Sequence, residues 1–581
     1  MKFQNKKESG GEPVSEAVKT VIQTDYAKEL KPGEMGSVTI NYKFDGLLLD
    51  DEPFGKIDDG EVMFELPGAG IITATGEPAL VREGIFIAMP PGAVYEAAQV
   101  VVQSEERLEK TYSIIPFPIT GLEDDDIIFL RNNAIYNSSD AYPAQICEYL
   151  GTQDIFGVQC AHISICPMRY IPNTGVLTVL SDVEITIWYK QGADGGGSES
   201  GGGLYRPDFA YMLHGYTPPE ESGETSERND KRNILVVTRH GELAYAFSQY
   251  AAAKTASGRY TIEYLVLPPE RNAVQIKKEI DLQFSRNKFD FLIIVGSERV
   301  IPAYHYGTPG ALFASDSYYS FKNSFFGLIE TPRFAVSRFP ADTAEELRDM
   351  CEVASEYPNR YAAGIRKTAV MAAWKRDEQE YSNETRAFDE DATRAETLAQ
   401  NGGFTTSRYN GVDNTVAELV TAINAGAGFV SYRGHGSQTG WGSSIGITNA
   451  NLNGTAVNPQ IAVGDNTPHV LSIACSTAAI HRQGTPCFGV TWINRRQAVS
   501  FLGASRTSNR HINSNFNRFL WEDIARQNAP STIGDIFLRA TVKLCQQYPH
   551  DSRRITNVKA YLLLGDGTAD YLEQPAPPPA P

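Results

Sequence analysis

The sequence predicts an α/β protein with a mostly parallel sheet, preceded by an all-β domain at its amino terminus. Residues 1–190 hold short alternating segments separated by Gly, Pro, Asn and Asp, a pattern typical of β structure. Residues 191–232 are rich in Gly, Ser and charged residues and predict a flexible linker. From residue 233 onward strands alternate with helices, which indicates a parallel sheet covered by helices. With 581 residues, 42% of them hydrophobic, the chain can bury several cores.

The amino-terminal domain is predicted from segments that alternate between apolar and polar residues or are rich in β-branched residues. No helical stripe longer than about three turns interrupts them, so we expect antiparallel strands. The strand-like segments are Ser37–Tyr42, Gly84–Met89, Ala97–Gln103, Gln159–Ser164 and Val183–Tyr189.

The predicted linker begins with QGADGGGSESGGG at Gln191, a sequence typical of flexible coil. A short apolar patch, Phe209–Leu213, is followed by a second polar stretch, Thr217–Lys231. We therefore expect a long connection between two domains that proteases can reach.

The remainder is predicted as two α/β subdomains, residues 233–360 and 361–572, followed by a disordered Pro-rich tail at 573–581. Sheets of this type gather their functional loops at the carboxyl ends of the strands. The predicted strands are Ile234–Thr238, Ile262–Leu267, Phe289–Val295 and Thr368–Ala373, and the predicted helices are Glu242–Lys254 and Ala273–Phe284. Two capping boxes that begin further helices are Thr343-x-x-Glu346 and Thr415-x-x-Glu418.

Composition argues against two classes of partner. The first 203 residues carry 31 acidic and 14 basic residues, and the rest carry 39 and 38, within a net charge of −18. Nucleic-acid binding needs clustered Lys and Arg, so we expect no nucleic-acid partner. No apolar run approaches the length of a membrane span, so we expect no membrane partner. The amino terminus, MKFQNKKESGGEPVSEA, has no apolar h-region, which predicts a cytoplasmic location, or secretion if a signal peptide has been removed.

The cysteines do not form a recognisable framework. Their number, seven, is odd, no two have C-x-x-C spacing, and no His lies at a zinc-like interval from two of them. We therefore expect neither a set of disulfides nor a structural zinc site. The cysteines are Cys147, Cys160, Cys166, Cys351, Cys475, Cys487 and Cys545.

Two predicted strands end at reactive side chains. Gly428–Tyr432 leads to His435, which is flanked by glycines, and His469–Ala474 leads to Cys475. Each residue alone is more often structural, the Cys as a buried thiol and the His as a loop residue. If the two strands are neighbours in a parallel sheet, however, both side chains lie on one rim, where an imidazole can take the proton of the thiol. The amides of Gly436 and Cys475 would then point at a developing oxyanion.

These motifs resemble those of the gingipain family of cysteine peptidases. YRGHGSQTGWG (Tyr432–Gly442) closely resembles the family's histidine motif, and SIACSTA (Ser472–Ala478) resembles its nucleophile motif. The likeness covers roughly Asn233–Leu572. Further segments in the family's order are NILVVTR at Asn233, FLIIVGSERVIPA at Phe291, SDSYY at Ser315, PRFAVSRFPADTAEEL at Pro332 and LLLGDGTADYL at Leu562.

The amino-terminal domain resembles the prodomain of the same family. YPAQI at Tyr142 and CPMRYIPNTGVLTV at Cys166 are similar to prodomain segments, and GYTPPEE at Gly215 resembles the start of mature gingipains. Together with the uneven charge and the linker, this likeness predicts a zymogen with an intramolecular inhibitory prodomain. Arg228, Lys231 and Arg232 are the predicted cleavage sites. The other basic residue of the region, Arg206, is followed by Pro207, and a proline at that place usually blocks cleavage.

The resemblance implies a caspase-like αβα fold that hydrolyses peptide bonds, with Cys475 as nucleophile and His435 as base. It also implies an acid that orients the histidine. By position that acid falls near Trp374–Lys375, where no acid stands, and Asp377 or Glu378 is the nearest replacement.

The family's arginine-cleaving members keep a separate acid in the substrate pocket, and its position falls in the cluster FDED, at Asp389 or Asp391. An acid beneath a substrate guanidinium selects Arg or Lys, so basic residues are the predicted preference, although such a cluster also suits a solvated helix face. The pocket wall departs from the family, since His511 and Asn515 replace an aromatic residue and a Met. Trp441, in the histidine motif, is a further predicted substrate contact.

Two other functions stay open at this point. Relatives of gingipains act as sortase-like transpeptidases, which pass the acyl group to an amine instead of water, and a pseudopeptidase would use the same fold only as a binding scaffold. A Cys–His dyad requires no cofactor. The resemblance adds structural calcium as an option, and Glu123–Asp126 is an acidic run of the type that holds it, although such runs are more often solvated turns.

Overall fold

The computed structural model describes residues 2–5, 14–51, 53, 60–70, 74–120, 127–192, 206–217, 231–239, 241–308, 311–322, 331–358, 365–375, 382–454, 459–526, 532–548 and 552–571. The chain divides into two compact units. Unit 1 comprises Met1–Thr225, Asn323–Thr331 and Lys543–Ser552, and unit 2 comprises Ser226–Lys322, Pro332–Val542 and Arg553–Pro581. Within the described residues, no helix combines the length and the apolar composition needed to cross a bilayer.

The amino-terminal part of unit 1 is built from strands, with one short helix, α1 (Asn133–Tyr136), and a 3-10 turn at Pro207–Met212. The strands are β1 (Lys2–Asn5), β2 (Val18–Thr24), β3 (Met35–Lys43), β4 (Gly46–Asp50), β5 (Glu61–Glu65), β6 (Glu83–Ala88), β7 (Ala93–Arg107), β8 (Ser113–Ile114), β9 (Ile119–Thr120), β10 (Ile127–Ile128), β11 (Cys147–Ile155), β12 (Val158–Ile165), β13 (Met168–Ile171), β14 (Val176–Gln191) and β15 (Leu213–His214). They form sheets in the orders β13-β14-β3-β2, with β7 also on β14, β11-β12-β6-β15, β1-β4-β5-β8 and β9-β10.

The predicted all-β character of this region is confirmed, and the five strand-like segments correspond to β3, β6, β7, β12 and β14. The longest pairs, β14 with β3 and with β7, are antiparallel, as expected. Three short pairs, β1–β4, β5–β8 and β6–β15, are parallel instead. Strand alternation builds the core, because Val183, Ile185, Ile187 and Tyr189 of β14 are fully buried while the residues between them are more exposed.

Part of the predicted linker is structured within unit 1. The side chain of Phe209 is fully buried and its ring lies 4.0 Å from that of Phe156, while Leu213 and His214 pair with β6. Arg206 is only 2% exposed and is paired with Asp208 at 2.8 Å. Residues 193–205 and 218–230, which carry the rest of the predicted linker, lie outside the described residues, as does the tail.

Unit 2 contains one ten-stranded sheet in the order β17-β16-β18-β21-β29-β28-β27-β24-β22-β23. Its region supplies the strands β16 (Arg232–Arg239), β17 (Tyr260–Leu267), β18 (Phe291–Val295), β19 (Tyr304–Tyr306), β20 (Phe313–Ser315), β21 (Ala335–Phe339), β22 (Thr368–Ala373), β23 (Thr405–Asn410), β24 (Phe429–Arg433), β25 (Gly436–Ser437), β26 (Gly440–Trp441), β27 (His469–Ile473), β28 (Ser500–Ala504) and β29 (Tyr561–Gly565). The helices are α2 (Glu242–Ala256), α3 (Ala273–Arg286), α4 (Ala344–Glu356), α5 (Ser382–Asn401), α6 (Val416–Asn424), α7 (Asn449–Asn453), α8 (Phe488–Asn494), α9 (Arg510–Arg526), α10 (Ile533–Gln547) and α11 (Ser552–Ala560).

Helices cover both faces of this sheet. β16 leads through α2 to β17, and β17 leads through α3 back across β16 to β18, with all three strands parallel. Parallel crossovers are right-handed, so this reversal places α2 and α3 on opposite faces. The same reversal along β22-α5-β23-α6-β24 separates α5 from α6. The predicted α/β class with a mostly parallel sheet is therefore confirmed, and both predicted capping boxes begin helices, α4 and α6.

The structure adds two features of the sheet that the sequence did not indicate. The two predicted subdomains contribute to a single continuous sheet, joined where β21 meets β29. In addition, β29 runs antiparallel to β28, so the sheet is mixed at that place.

Candidate active site

The predicted base and nucleophile lie at the same rim because of the register between two parallel strands. β24 and β27 are neighbours, and their last paired residues are Arg433 and Ile473. His435 and Cys475 each follow that pair by two positions, at the carboxyl ends of the strands. Their loops touch, since a Cβ atom placed on Gly436 would lie 2.6 Å from the carbonyl oxygen of Cys475.

Cys475 is the only one of the seven cysteines that is partly exposed; the other six are buried. The backbone N–H of Ser508 donates a hydrogen bond to its Sγ at 3.4 Å. The Oγ and carbonyl oxygen of Ser508 lie 3.8 and 3.7 Å from the same sulfur. A hydrogen-bond donor directed at the sulfur stabilises the thiolate relative to the thiol, and the thiolate is the reactive form.

Ser508 is held by a buried polar network. Its Oγ accepts a hydrogen bond from Nδ2 of Asn513 at 2.7 Å. Oδ1 of Asn513 in turn accepts from the hydroxyl of Tyr561 at 2.8 Å and from Nδ2 of Asn557 at 3.0 Å. Oδ1 of Asn557 accepts from the backbone N–H of Asn509 at 2.8 Å. Satisfied networks of this kind are rigid, so the donor to Cys475 is fixed in place.

The residue after Cys475 has an unusual backbone conformation. Ser476 has φ of +58°, in the left-handed region that non-glycine residues rarely adopt. Its N–H donates to the carbonyl oxygen of Arg506 at 2.9 Å, and the N–H of Ala478 donates to that of Ala504 at 2.8 Å. These bonds hold a sharp turn at the end of β27, and strained backbone of this sort is often found at functional sites.

Two aromatic rings hold the imidazole of His435. The Trp374 ring lies 4.7 Å from it at 89°, and the Phe388 ring lies 5.4 Å from it at 84°. The backbone of the same residue is also fixed, because its carbonyl oxygen accepts hydrogen bonds from the hydroxyl of Tyr432 and the N–H of Gly442, both at 2.8 Å. Trp374 thus occupies the place where the family resemblance led us to look for an acid.

The N–H of Gly436 is directed away from its own hairpin. Gly436 pairs with Trp441, and the hydrogen bond from Gly442 to His435 shows that this is a non-hydrogen-bonded pair. The amide of Gly436 therefore points out of the hairpin, whose loop contacts Cys475. This is the arrangement expected of an oxyanion donor, and the close approach explains the lack of a side chain at Gly436.

Trp441, predicted as a substrate contact, is 4% exposed. Its Nε1 donates to Oγ of Ser472 at 2.9 Å, and its ring stacks on that of Tyr432 at 4.5 Å and 7°. These contacts hold the histidine loop against β24 and β27. A contact between Trp441 and substrate stays a prediction.

The two predicted pocket acids both have cationic partners. Asp389 is paired with Arg408 and lies 3.6 Å from Nζ of Lys375. Asp391 is buried and accepts from Nε of Arg433 at 2.8 Å. Arg433 precedes the histidine loop directly, so Asp391 anchors that loop to α5. Binding of substrate by either acid stays a prediction.

The remaining predicted residues are placed only in part. His511 and Asn515 are partly exposed and lie one turn apart on α9, where Nδ2 of Asn515 donates to the carbonyl oxygen of His511 at 3.2 Å. Asp377 and Glu378 lie outside the described residues, as does the acidic run Glu123–Asp126. No group of three or more His, Cys, Asp or Glu side chains in the described part of the chain is arranged to hold a metal ion. Calcium binding stays a prediction.

Sequence reasoning missed Ser508, Trp374 and Phe388. Ser508 follows β28, which pairs with β27, so it belongs to a third strand end beside Cys475. The rule that located His435 and Cys475 would have located this loop too, had the strand Ser500–Ala504 been recognised. Aromatic positioning of the imidazole has no comparable sequence pattern.

Comparison with known proteins agrees with this site. The model of peptidase family C25 matches residues 227–571. The chain belongs to peptidase family C25. The family's propeptide model, Propeptide_C25, matches residues 40–203. The predicted membership of the gingipain family is thereby confirmed.

Among curated relatives, Gingipain R2 of Porphyromonas gingivalis strain W83 is 21% identical over an alignment of 502 residues, which covers 81% of this chain and 64% of that protein. Lys-gingipain W83 of Porphyromonas gingivalis is 22% identical over an alignment of 488 residues, which covers 76% of this chain and 26% of that protein. The C25 chain described here thus spans less than two thirds of these relatives. Among solved structures, the Arg-specific cysteine proteinase gingipain R is 17% identical with a TM-score of 0.49, covering 61% of this chain and 79% of that one.

Proposed function

We propose that this C25 protein is a cysteine endopeptidase in which Cys475 attacks the peptide bond and His435 acts as its base. The observation that carries the proposal is the equal offset of the two residues beyond the paired ends of β24 and β27. The part-exposed thiol and the Ser508 donor support the same assignment.

The geometry suits the following sequence of steps. His435 takes the proton of the Cys475 thiol, and the sulfur attacks the carbonyl carbon of the substrate. The amides of Gly436 and Cys475 stabilise the oxyanion. The C–N bond then breaks, the amine leaves with the proton from His435, and an acyl-enzyme thioester remains. Water, deprotonated by His435, hydrolyses the thioester and restores the thiol.

Alanine substitutions test this assignment. We expect Cys475→Ala and His435→Ala each to lower kcat for a quenched fluorescent peptide by several orders of magnitude, because a dyad works as a unit. Circular dichroism and urea unfolding should match the wild type. Cys487→Ala is the matched control, since its thiol is buried and burial raises its pKa to about 12. Hydrolysis that survives in Cys475→Ala but disappears in Cys487→Ala would overturn the proposal.

A preference for Arg or Lys before the cut is the second part of the proposal. The names of the relatives, Gingipain R2 and Lys-gingipain, support it, as does the acid Asp389. A substrate cation at Asp389 would replace Arg408 or Lys375 as its partner. A positional-scanning peptide library measures the preference, and Asp389→Asn should lower the selectivity for basic residues. A wild-type preference for acidic or large apolar residues at that position would contradict this part alone.

The third part of the proposal is that the chain is a zymogen. The match of Propeptide_C25 to residues 40–203 supports an inhibitory amino-terminal region. Of the predicted cleavage sites, Arg228 lies outside the described residues. Arg232, the first residue of β16, donates two hydrogen bonds to the carboxylate of Asp535, at 2.6 and 2.7 Å. Cleavage is therefore expected on the amino-terminal side of Arg232.

To test this, wild type and Cys475→Ala are incubated in parallel and any new amino termini are sequenced. Cleavage confined to the wild type, with activity rising as the intact chain disappears, is the expected result. An uncut protein that is already fully active would exclude the zymogen while leaving the peptidase assignment intact.

A further inference from the structure

Arg506, a half-buried residue beside the nucleophile, has no acidic partner among the described residues. Burial lowers its pKa, and the one charged group that acts in the opposite direction is Cys475. Its Nε donates to the carbonyl oxygen of Thr507 at 3.2 Å, and its guanidinium lies 4.8 Å above the centre of the Phe313 ring. The guanidinium of Arg506 is thus held in position, and its two Nη groups can donate hydrogen bonds to a ligand.

Three other arginines of unit 2 are each neutralised by a carboxylate. Arg338 is held by both oxygens of Asp316 at 2.6 and 2.8 Å. Arg433 is held by Asp391 at 2.8 Å, and Arg408 by an acid of the same helix, α5. A partly buried cation without a counter-charge is unfavourable, so its retention next to a reactive thiol indicates an anionic ligand.

The backbone places Arg506 directly at the reaction centre. Its carbonyl oxygen accepts the hydrogen bond of Ser476, the residue after the nucleophile, at 2.9 Å. Ser505 fixes the same segment from the other side, because its Oγ donates to the carbonyl oxygen of Ala314 at 2.6 Å. A substrate whose carbonyl carbon is at Sγ of Cys475 therefore passes close to Arg506.

A second cation stands on the same aromatic surface. Tyr306 and Phe313 pair across the β19–β20 hairpin, with their rings 5.8 Å apart. Arg506 lies over Phe313, and Nζ of Lys559 lies 4.2 Å above the Tyr306 ring. The nearby acid Glu298 is bound to His305 at 3.0 Å. Lys559 therefore places a second positive charge on this aromatic surface, and it contributes to the field that an anion meets at Arg506.

We propose that Arg506 is an anion-binding subsite that takes a carboxylate of the substrate near the scissile bond, at a position other than the residue before the cut. This inference rests on the proposed peptidase function and names part of its substrate. The carboxylate is either the side chain of an Asp or Glu residue near the cut or the carboxyl terminus of a short peptide. The planar guanidinium binds either one through paired N–H donors.

Matched peptides test the subsite. Quenched fluorescent peptides are compared that keep a basic residue before the cut. At each other position near the cut, one peptide carries Asp or Glu and its twin carries Asn or Gln. A further pair has a free or an amidated carboxyl terminus. At one position the wild type should cleave the carboxylate peptide with a kcat/KM about 10-fold or more above that of its amide twin, the size expected of a charge-assisted hydrogen bond. The position at which the difference appears tells the side-chain source from the terminal one.

The enzyme side of the comparison uses Arg506→Gln and Arg506→Lys. In Arg506→Gln the ratio between the twin peptides should fall to about 1, and in Arg506→Lys it should be kept in part. Equal ratios in wild type and Arg506→Gln would overturn the subsite. A uniform fall for all peptides, matched by slower alkylation of Cys475 by iodoacetamide, would also overturn it, since Arg506 would then serve the thiolate alone.

Two controls keep this test separate from the proposed function. A wild type that prefers no carboxylate at any position contradicts the subsite even if Arg506→Gln fails to fold. Hydrolysis by Cys475→Ala would instead contradict the peptidase assignment, whatever Arg506 does.

Discussion

The buried ion pair between Asp391 and Arg433 offers a quantitative test of how the histidine loop is held. Oδ2 of Asp391 accepts from Nε of Arg433 at 2.8 Å and from Oγ of Ser514 at 2.6 Å. The two partners are 8% and 3% exposed, so solvent screens the pair little. Asp391→Asn keeps the shape but leaves Arg433 as an uncompensated buried charge. We expect it to lower the free energy of unfolding of unit 2 by about 3–5 kcal/mol.

Urea unfolding followed by tryptophan fluorescence measures this loss, because four of the five tryptophans lie in unit 2. Asp389→Asn is the matched control: its partners Arg408 and Lys375 are 24% and 21% exposed, and we expect a loss of less than about 1 kcal/mol. If Asp391→Asn unfolded like the wild type but raised KM for basic peptides, Asp391 would be a pocket acid and its structural role would be refuted.

Three further predictions concern Gly436, His469 and Trp441. Gly436→Ala should lower kcat at least about 100-fold in steady-state kinetics. The added Cβ would lie 2.6 Å from the carbonyl oxygen of Cys475 and would displace the amide that donates to the oxyanion. Activity near that of the wild type would exclude this amide as the donor. Burial lowers the pKa of His469 to about 3 in the folded protein, whereas the unfolded residue has a pKa of about 6.5. Below about pH 6.5 the unfolded state therefore binds a proton that the folded state does not. The free energy of unfolding should fall by about 1.4 kcal/mol for each pH unit below that value. His469→Gln should remove that share of the acid sensitivity in urea titrations at pH 7 and 4.5, and an unchanged pH dependence would contradict it. Trp441→Phe should cost about 1 kcal/mol of unfolding free energy through the lost bond to Ser472, with KM unchanged; a large rise in KM would instead support the predicted substrate contact.

The fold was predictable where local pattern decides it. The strands and helices from residue 233 onward follow from short apolar runs alternating with amphipathic stretches, and Thr343 and Thr415 cap helices as their capping boxes indicate. The antiparallel pairing of β28 with β29 was not predictable, since strand direction depends on a connection that passes through three helices, α9 to α11. The order of residues 206–217 was also missed, because Phe209 looks like an isolated apolar residue until its contact with Phe156 is known.

The same limit applies to the site. His435 and Cys475 were found because each ends a buried strand, a feature that one sequence displays. Whether Asp389 and Asp391 are free or paired depends on cations from other elements, Arg408 and Arg433, which no sequence spacing relates to α5. The sequence shows which acidic residues could bind a substrate cation, and only the fold shows which of them are already paired with a cation of the protein.

Covalent labelling tests whether Cys475 is the nucleophile. The protein is treated with a peptidyl acyloxymethyl ketone and the modified residue is mapped by peptide mass spectrometry. We expect one adduct, on Cys475, because the other six cysteines are buried. It should be lost in Cys475→Ala and strongly reduced in His435→Ala. An adduct on Cys487 or any other cysteine, with Cys475 unmodified, would contradict the assignment of Cys475 as the nucleophile.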